Sequence, residues 1–185
     1  MKKILALMLC ASCADSAQTP ANPSYFVIPT MSPVLHVDVG FSAEERREIH
    51  TAALAWQVFA GVYTTCVDDF DFENLPSLRV RYYIQRVPVT NTYTQELLTT
   101  RPGIIAYTRR TADRWGTRGV YVIDGKVSRD GFMWVVAHEL GHLYGLDDLP
   151  TQGDVMSGSG YFPGTWFTSE DLSECRRVGL CSPGR

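Results

Sequence analysis

Two histidines and a glutamate lie close together at a spacing that suits metal chemistry. His138 and His142 are four residues apart, and Glu139 directly follows the first of them. On a helix, side chains four positions apart share a face, with Cβ atoms about 5–6 Å apart, so both imidazoles can reach one metal ion. Zinc suits this arrangement. The carboxylate of Glu139 can then take a proton from zinc-bound water instead of binding the metal.

A catalytic zinc normally takes three protein ligands and keeps one position for water, so a third ligand is needed. Gly145 has no Cβ and can adopt the left-handed conformation that ends a helix and reverses the chain. Asp148 follows shortly after this turn, and a carboxylate oxygen is an acceptable zinc ligand. We therefore predict Asp148 as the third ligand, with Asp147 as its supporting neighbour. Asp147 itself, or Glu170 or Glu174 from a later helix, are the alternatives.

The remaining histidines offer no obvious third imidazole. His36 lies in a predicted strand and His50 on a predicted helix, and neither segment is obviously directed at this site. The simpler alternative is that His138 and His142 are half-buried histidines that hydrogen-bond their surroundings. The full pattern through Asp148 favours a metal site, because it arises by chance far less often than a bare His-Glu-x-x-His.

Helices are predicted near the start of the domain, over the two histidines and near the carboxyl end. Ser42-Ala43-Glu44-Glu45 is a capping-box pattern, and the helix after it has an inward apolar face. That face consists of Ile49, Ala53, Trp56 and Ala60. A second long helix is predicted at 130–144, capped by Ser128 or Asp130 and ended by Gly145. A short helix is predicted at 169–178.

Five segments rich in β-branched or aromatic residues are predicted as strands. They are Val34–Val39, Val62–Val67, Leu78–Ile84, Gly103–Tyr107 and Val120–Ile123. Turn-rich pieces lie between them, among them Thr90-Asn91-Thr92. The order of elements predicts an α+β fold, with a mixed, twisted five-stranded sheet, two long helices and a carboxyl-terminal helix.

The pattern His138-Glu139-x-x-His142-x-x-Gly145-x-x-Asp148 resembles the signature of the metzincin zinc peptidases, with aspartate in place of the usual third histidine. Small bacterial peptidases of the snapalysin type share that variant. Met156 resembles the family's methionine turn, at a spacing similar to that of the matrix metalloproteinases. The resemblance covers most of residues 34–178 and implies a metzincin-type sandwich. The chain departs from the family in lacking a cysteine-bearing propeptide and a tyrosine two residues after Met156.

The resemblance implies a zinc-dependent endopeptidase that hydrolyses peptide bonds in extended protein or peptide substrates, with Glu139 as the catalytic general base. Substrate is expected to add as a strand along an exposed antiparallel edge. The residues expected there are Ile104, Ile105, Ala106 and Tyr107. In the loop after Ser157, Tyr161 and Phe162 are expected either to line a pocket for an apolar or aromatic residue or to close the core beneath that loop.

Two other functions stay open. One is a zinc hydrolase whose third ligand is Glu170 or Glu174. The other is a non-catalytic, lipid-anchored binding module that keeps zinc for structure, although structural zinc sites are usually closed by four ligands. Calcium at the acidic segment Asp68–Glu73 is a further alternative, but a solvated turn is favoured there because the segment lacks a known calcium-loop spacing.

Size and charge predict one domain without a nucleic-acid partner. The chain has 185 residues, of which 45% are hydrophobic, and a net charge of -3. That composition supplies one ordinary globular core and no basic run for nucleic acid or a membrane surface. We expect a monomer with its catalytic domain at residues 34–185.

The amino-terminal residues indicate export. A positive start, Met1-Lys2-Lys3, precedes an apolar stretch too short to span a bilayer, so residues 1–13 are predicted as a signal peptide and 14–33 as a linker. Cleavage before Cys13 would give a lipid-modified cysteine that tethers the protein to a membrane, whereas an ordinary cut after Ala14 would release it. We therefore expect an extracellular or cell-envelope location. The first cut is favoured, since Ala11 and Ser12 resemble a lipobox.

The later cysteines are Cys66, Cys175 and Cys181. In an oxidising compartment two of them can form a disulfide, and Cys175 and Cys181 are the closest pair in sequence. Because these cysteines are three in number, one disulfide would leave one of them as a free thiol.

Overall fold

The computed structural model describes residues 34–70, 82–109, 118–158 and 166–181. The predictions for the signal peptide with Cys13, for the linker at 14–33 and for Tyr161 and Phe162 concern residues outside these ranges. None of the helices in the described ranges has the length and apolar character needed to cross a membrane.

In the described part of the chain, five strands form one mixed sheet. They are β1 (Val34–Asp38), β2 (Thr65–Phe70), β3 (Tyr82–Val87), β4 (Ala106–Arg109) and β5 (Arg118–Ile123). Their order in the sheet is β2-β1-β3-β5-β4. Every neighbouring pair is parallel except β4 with β5, which is antiparallel. The predicted five-stranded mixed sheet is therefore confirmed, and β4 is an antiparallel edge strand of the sheet.

Four α-helices accompany the sheet within the ranges that the structure describes. They are α1 (Ala43–Ala60), α2 (Thr92–Thr100), α3 (Phe132–Tyr144) and α4 (Ser169–Arg177), and a single 3-10 turn, Arg129–Gly131, leads into α3. The capping box predicted for α1 is present, since the side chain of Ser42 accepts from the N–H of Glu45 and the side chain of Glu45 accepts from the N–H of Ser42. Mixed α and β content of this kind agrees with the predicted α+β class.

Helices α1 and α3 pack on one face of the sheet and enclose the main core. Alternate residues of the strands, such as Leu35, Ile84 and Val120, point into it and are fully buried. Trp56 of α1 is also fully buried, and its Nε1 donates to the main-chain oxygen of Ala137 in α3 at 2.8 Å. This contact fixes the two helices against each other and so fixes the height of α3 above the sheet.

Several predictions about the elements were wrong: β2 begins at Thr65 and not at Val62, β3 ends at Val87 and not at Ile84, and three further differences follow. The segment after Thr90-Asn91 is not only a turn, because α2 begins there with Asn91 as its cap, accepting from the N–H of Thr94. Helix α3 begins at Phe132 without a side-chain cap, so neither Ser128 nor Asp130 caps it. The fourth strand begins at Ala106 and not at Gly103, because the N–H of Ile104 donates to the carbonyl of Arg101 in a turn.

The opposite face of the sheet carries a smaller apolar cluster. Val87, Ile104 and Ile123 are buried there, and residues of α2 and two tyrosines pack against them. Helix α2 therefore covers the sheet next to its antiparallel edge and leaves the α3 side of β4 to the metal residues.

Candidate metal centre

Gly145 ends α3 and turns the chain back toward the two histidines. Its φ is 102°, in the left-handed region, and its N–H bonds carbonyls of the last helical turn. The N–H of Leu146 then bonds the carbonyl of Gly141 at 3.0 Å. This is the helix ending that glycine favours, because a Cβ is strained at that φ. The turn predicted from the sequence is confirmed.

The turn brings Asp148 to both imidazoles. Oδ1 of Asp148 lies 3.3 Å from Nε2 of His138 and 3.2 Å from Nε2 of His142. The two rings are 4.5 Å apart between centroids and nearly perpendicular, at 82°. Among the residues that the structure describes, these three form the one group of histidine, cysteine or carboxylate side chains close enough to hold a metal ion, with ligand atoms within 4.8 Å of one another.

Main-chain carbonyls fix the orientation of both rings. Nδ1 of His138 lies 2.8 Å from the oxygen of Val155, and Nδ1 of His142 lies 2.9 Å from the oxygen of Leu146. Because a carbonyl only accepts hydrogen bonds, each Nδ1 must carry a proton. In the neutral rings, Nε2 then holds the lone pair and points at the shared centre, which is the arrangement seen in metal-binding histidines.

The three converging atoms fit a cation. Two nitrogen lone pairs and a carboxylate oxygen are all acceptors, so they repel one another at these distances unless a proton or a metal ion lies between them. Imidazole nitrogen together with carboxylate oxygen suits zinc and other first-row divalent metals. The residues present therefore fit a bound divalent metal ion.

The close approach of these groups shifts the pKa values of Asp148 and His138. Burial alone would raise the pKa of Asp148, but hydrogen bonds from the two imidazoles hold that pKa well below its usual range. Burial likewise disfavours the charged form of His138, yet its hydrogen bond to Asp148 and the nearby Glu139 charge raise its pKa. Because imidazoles bind a metal ion only in their neutral form, the affinity of this group for a metal ion would fall as the pH falls.

Met156 lies directly below α3, the helix that carries both histidines. It is fully buried, and a Cβ placed on Gly141 would lie 2.2 Å from its sulfur and 2.9 Å from Cζ2 of Trp56. Only glycine therefore fits between the two histidines at this point of α3. The predicted methionine turn lies under α3, where the main-chain oxygen of the preceding Val155 also holds His138.

Asp171 of α4 supports that turn, which the sequence reasoning missed. Its buried carboxylate accepts from the N–H groups of Val155 at 3.2 Å and Met156 at 2.9 Å. Burial raises its pKa, while these N–H groups and that of Thr168 act in the opposite direction. Thr168 and Asp171 form a capping box at the start of α4, a pattern that by itself predicts only a helix start.

Glu139 is nearly completely buried, with 1% of its surface exposed. Oγ1 of Thr108, on β4, lies 2.6 Å from its carboxylate Oε2 and 2.9 Å from its main-chain oxygen. A buried carboxylate needs such a donor, because desolvation without one is costly. The sequence reasoning also missed Thr108, and no local pattern could have identified it, since the two residues are far apart in the chain.

The alternative third ligands have other partners in α4. Glu174 accepts from Nε of Arg177 at 2.6 Å and from the N–H of Asp147 at 3.3 Å. The carboxylate of Asp147 lies 3.2 Å from Nη2 of Arg177, so Asp147 supports the turn through α4. Glu170 is exposed and accepts from Ser169. The structure brings Asp148 to the histidines and not these residues.

The other expected sites are described only in part. At the proposed calcium segment, Asp68 pairs with His50 at 2.8 Å, and residues 71–73 lie outside the described ranges. Near the edge strand, the side chains of Ile104 and Ala106 are buried and therefore do not line an exposed surface. Tyr107 stacks on Tyr121, with ring centroids 4.8 Å apart.

The cysteines form one disulfide in the described ranges. Cys175, at the end of α4, is bonded to Cys181. Cys66 is a free thiol, and its partial burial raises its pKa to about 11. It is therefore protonated and unreactive at neutral pH.

No protein-family model matches the chain, and no curated protein is significantly similar to it.

Proposed function

We propose that this chain is a zinc-dependent endopeptidase of the metzincin type, with His138, His142 and Asp148 as metal ligands and Glu139 as general base. The observation that carries the proposal is the convergence of two oriented Nε2 atoms on one carboxylate oxygen, at 3.2 and 3.3 Å. Three protein ligands leave a coordination position for water and substrate, which distinguishes a catalytic zinc site from a closed structural one.

A zinc ion held by these ligands would supply Lewis acidity that polarises the scissile carbonyl. Asp148 contributes a full negative charge next to the two neutral imidazoles. The two main-chain carbonyls that accept from Nδ1 keep the rings from turning and make them better ligands.

Glu139 is the residue that moves the proton. Because it follows His138 directly on α3, it projects beside the metal ligands, and its carboxylate can accept a proton from the attacking water. It then returns that proton to the nitrogen of the leaving amine. Its near-complete burial favours this role, since water exclusion strengthens the electrostatic interactions within a site.

The edge of the sheet offers a place for an extended substrate. Among the described strands, β4 has β5 as its neighbour and runs past α3, and we propose that a peptide adds along it as a further strand. Main-chain hydrogen bonds would give such a peptide affinity without demanding a sequence. The remaining parts of the proposal are an exported, monomeric enzyme and, through Cys13, a membrane tether.

The test is metal content and cleavage of an unstructured protein such as casein. Wild type should bind zinc and cleave, and a chelator should abolish cleavage until zinc is restored. Glu139→Ala should bind zinc as wild type does but lose about 10²–10⁴-fold in turnover, the usual contribution of general base catalysis.

Glu170→Ala is the matched control, because it removes an exposed glutamate that is also a rival ligand. It should leave zinc binding and turnover unchanged. Undiminished cleavage by Glu139→Ala would refute the assigned base, and a wild type that binds no zinc would refute the proposed function.

A further inference from the structure

We infer that Thr108 is a positioning residue that holds the carboxylate of Glu139 in its working orientation and joins it to the strand that receives substrate. The inference rests on the proposed function. It starts from the 2.6 Å contact between Oγ1 of Thr108 and Oε2 of Glu139.

The hydroxyl of Thr108 has one proton and two acceptors in reach. The carboxylate oxygen at 2.6 Å is the closer, and the main-chain oxygen of the same glutamate lies at 2.9 Å. A distance of 2.6 Å is typical of a hydroxyl that donates to an ionised carboxylate, a stronger bond than one to a neutral acceptor. The proton therefore goes to Oε2, which restricts the carboxylate to one side-chain conformation.

The side chain that donates is itself rigid. Threonine is branched at Cβ and has few χ1 conformations, and a strand within a sheet restricts it further. Thr108 lies opposite Val120 in the antiparallel pair and faces α3 along with Ala106, whose side chain is buried. The donor is thus fixed by the sheet, while the acceptor belongs to the metal-binding helix.

The same strand is the proposed place for substrate. If a peptide adds to β4, its position is set by the main chain of residues 106–109, and the hydroxyl of Thr108 sets the base relative to that main chain. Loss of the hydroxyl should affect the chemical step more than binding, because the main chain that binds the peptide is unchanged. A misplaced catalytic group can reduce turnover about a hundredfold.

A purely structural role makes a different prediction. If Thr108 only satisfied a buried carboxylate, its loss would reduce stability and zinc content, and turnover would fall only as zinc content falls. The two roles are separated by measuring kcat, KM and zinc content on the same samples.

The experiment compares Thr108→Val, which keeps the shape and removes the hydroxyl, with Thr108→Ser, which keeps the hydroxyl. We expect kcat of Thr108→Val on a casein-derived peptide to fall about ten- to hundredfold, the range that one hydrogen bond to a charged group supports. KM should change less than about twofold. Thr108→Ser should restore most of kcat.

Thr51→Val is the matched control. Thr51 lies on α1, and its hydroxyl donates to the main-chain oxygen of Arg47 at 2.8 Å, away from the metal residues. The kcat and KM of Thr51→Val should equal those of wild type. A fall of kcat in this control as large as in Thr108→Val would overturn the inference.

A second readout needs no activity. Urea unfolding of the metal-free protein is measured for wild type, Thr108→Val, Glu139→Ala and the double variant. If the hydroxyl is bonded to the Glu139 side chain, Thr108→Val should lower the urea midpoint less in the Glu139→Ala background than in wild type. Additive shifts would overturn the contact.

The outcomes distinguish the two proposals. A wild type that cleaves with zinc, next to a Thr108→Val variant with unchanged kcat, would overturn only the role of Thr108. A wild type that binds zinc but cleaves nothing would refute the proposed peptidase, and the coupling in urea would still decide whether Thr108 holds Glu139.

Discussion

At the scale of single residues, the main-chain partners of His138 and His142 matter as much as the spacing between them. Both Nδ1 atoms are held by carbonyls within 3 Å, at 2.8 and 2.9 Å. One carbonyl belongs to Val155, before Met156, and the other to Leu146, just after the helix ends. Each neutral imidazole is thereby set in one tautomer, with its Nε2 directed at the shared centre, as the proposed metal site requires.

The ionisation of Glu174 makes the stability of the turn that follows α3 depend on pH. A hydrogen bond from Arg177 lowers the pKa of Glu174, burial opposes this, and the N–H of Asp147 adds to the lowering. As the pH falls, Glu174 therefore takes up a proton more readily in the unfolded chain than in the folded one. The resulting stability is complete above the unfolded pKa and is lost as the pH falls through the folded pKa.

We predict that Glu174→Gln destabilises the metal-free protein by about 1–2 kcal/mol at neutral pH, because a charged hydrogen bond is lost. The free energy of unfolding should also fall less steeply between neutral and acidic pH. Urea titrations at several pH values measure this. Glu96→Gln, at an exposed position of α2, should keep the wild-type slope. An unaltered slope in Glu174→Gln would contradict the prediction.

The sequence was sufficient for the residues that depend on local geometry. His138 and His142 follow from helical periodicity, and Asp148 follows from one glycine that ends the helix. Thr108 and Asp171 could not be predicted, because each acts on a segment far away in the chain. Spacing within one element is visible in a sequence, whereas a hydrogen bond between elements depends on how they pack.

At the scale of elements, the end of α3 decides where the third ligand lies. Strong patterns, such as the capping box of α1 and the glycine after α3, gave correct helices. Helix α2 was missed because threonines, which have low helix propensity, occupy four of its positions in TYTQELLTT. Asn91 caps it, yet an asparagine next to threonines is equally typical of a turn.

Two glycines allow the role of the helix ending to be isolated. Gly145 ends α3 with φ 102°, and Gly61 ends α1 with φ 72°. Replacing either by alanine should cost about 1–2 kcal/mol, since both conformations strain a residue with a Cβ. Only Gly145→Ala should also weaken zinc binding, because only that turn carries Asp148.

Urea unfolding and a zinc competition titration measure the two effects separately. Equal zinc affinities in Gly145→Ala and Gly61→Ala, at equal losses of stability, would show that the turn at Gly145 does not position the ligand.

At the scale of the whole molecule, the sheet order places an antiparallel edge strand beside the metal-binding helix. The class of fold and the number of strands followed from the sequence, while the bounds of β2, β3 and β4 shifted by several residues. Those shifts arise because short apolar segments do not define where pairing begins. Helix α4, held at its end by the disulfide of Cys175 with Cys181, supports the turn at Met156 through Asp171.

Zinc affinity is the most direct test of the account, since everything proposed depends on three ligands. A competition titration with a zinc-binding dye compares wild type, Asp148→Ala and Asp147→Ala. Asp147→Ala is the matched control, because the carboxylate of Asp147 is exposed and paired with Arg177. Asp148→Ala should weaken zinc binding more than about a hundredfold, since loss of even an outer hydrogen-bond partner of a ligand costs about ten- to hundredfold. Asp147→Ala should bind zinc within about tenfold of wild type. Equal, tight zinc binding by wild type and Asp148→Ala would contradict the account.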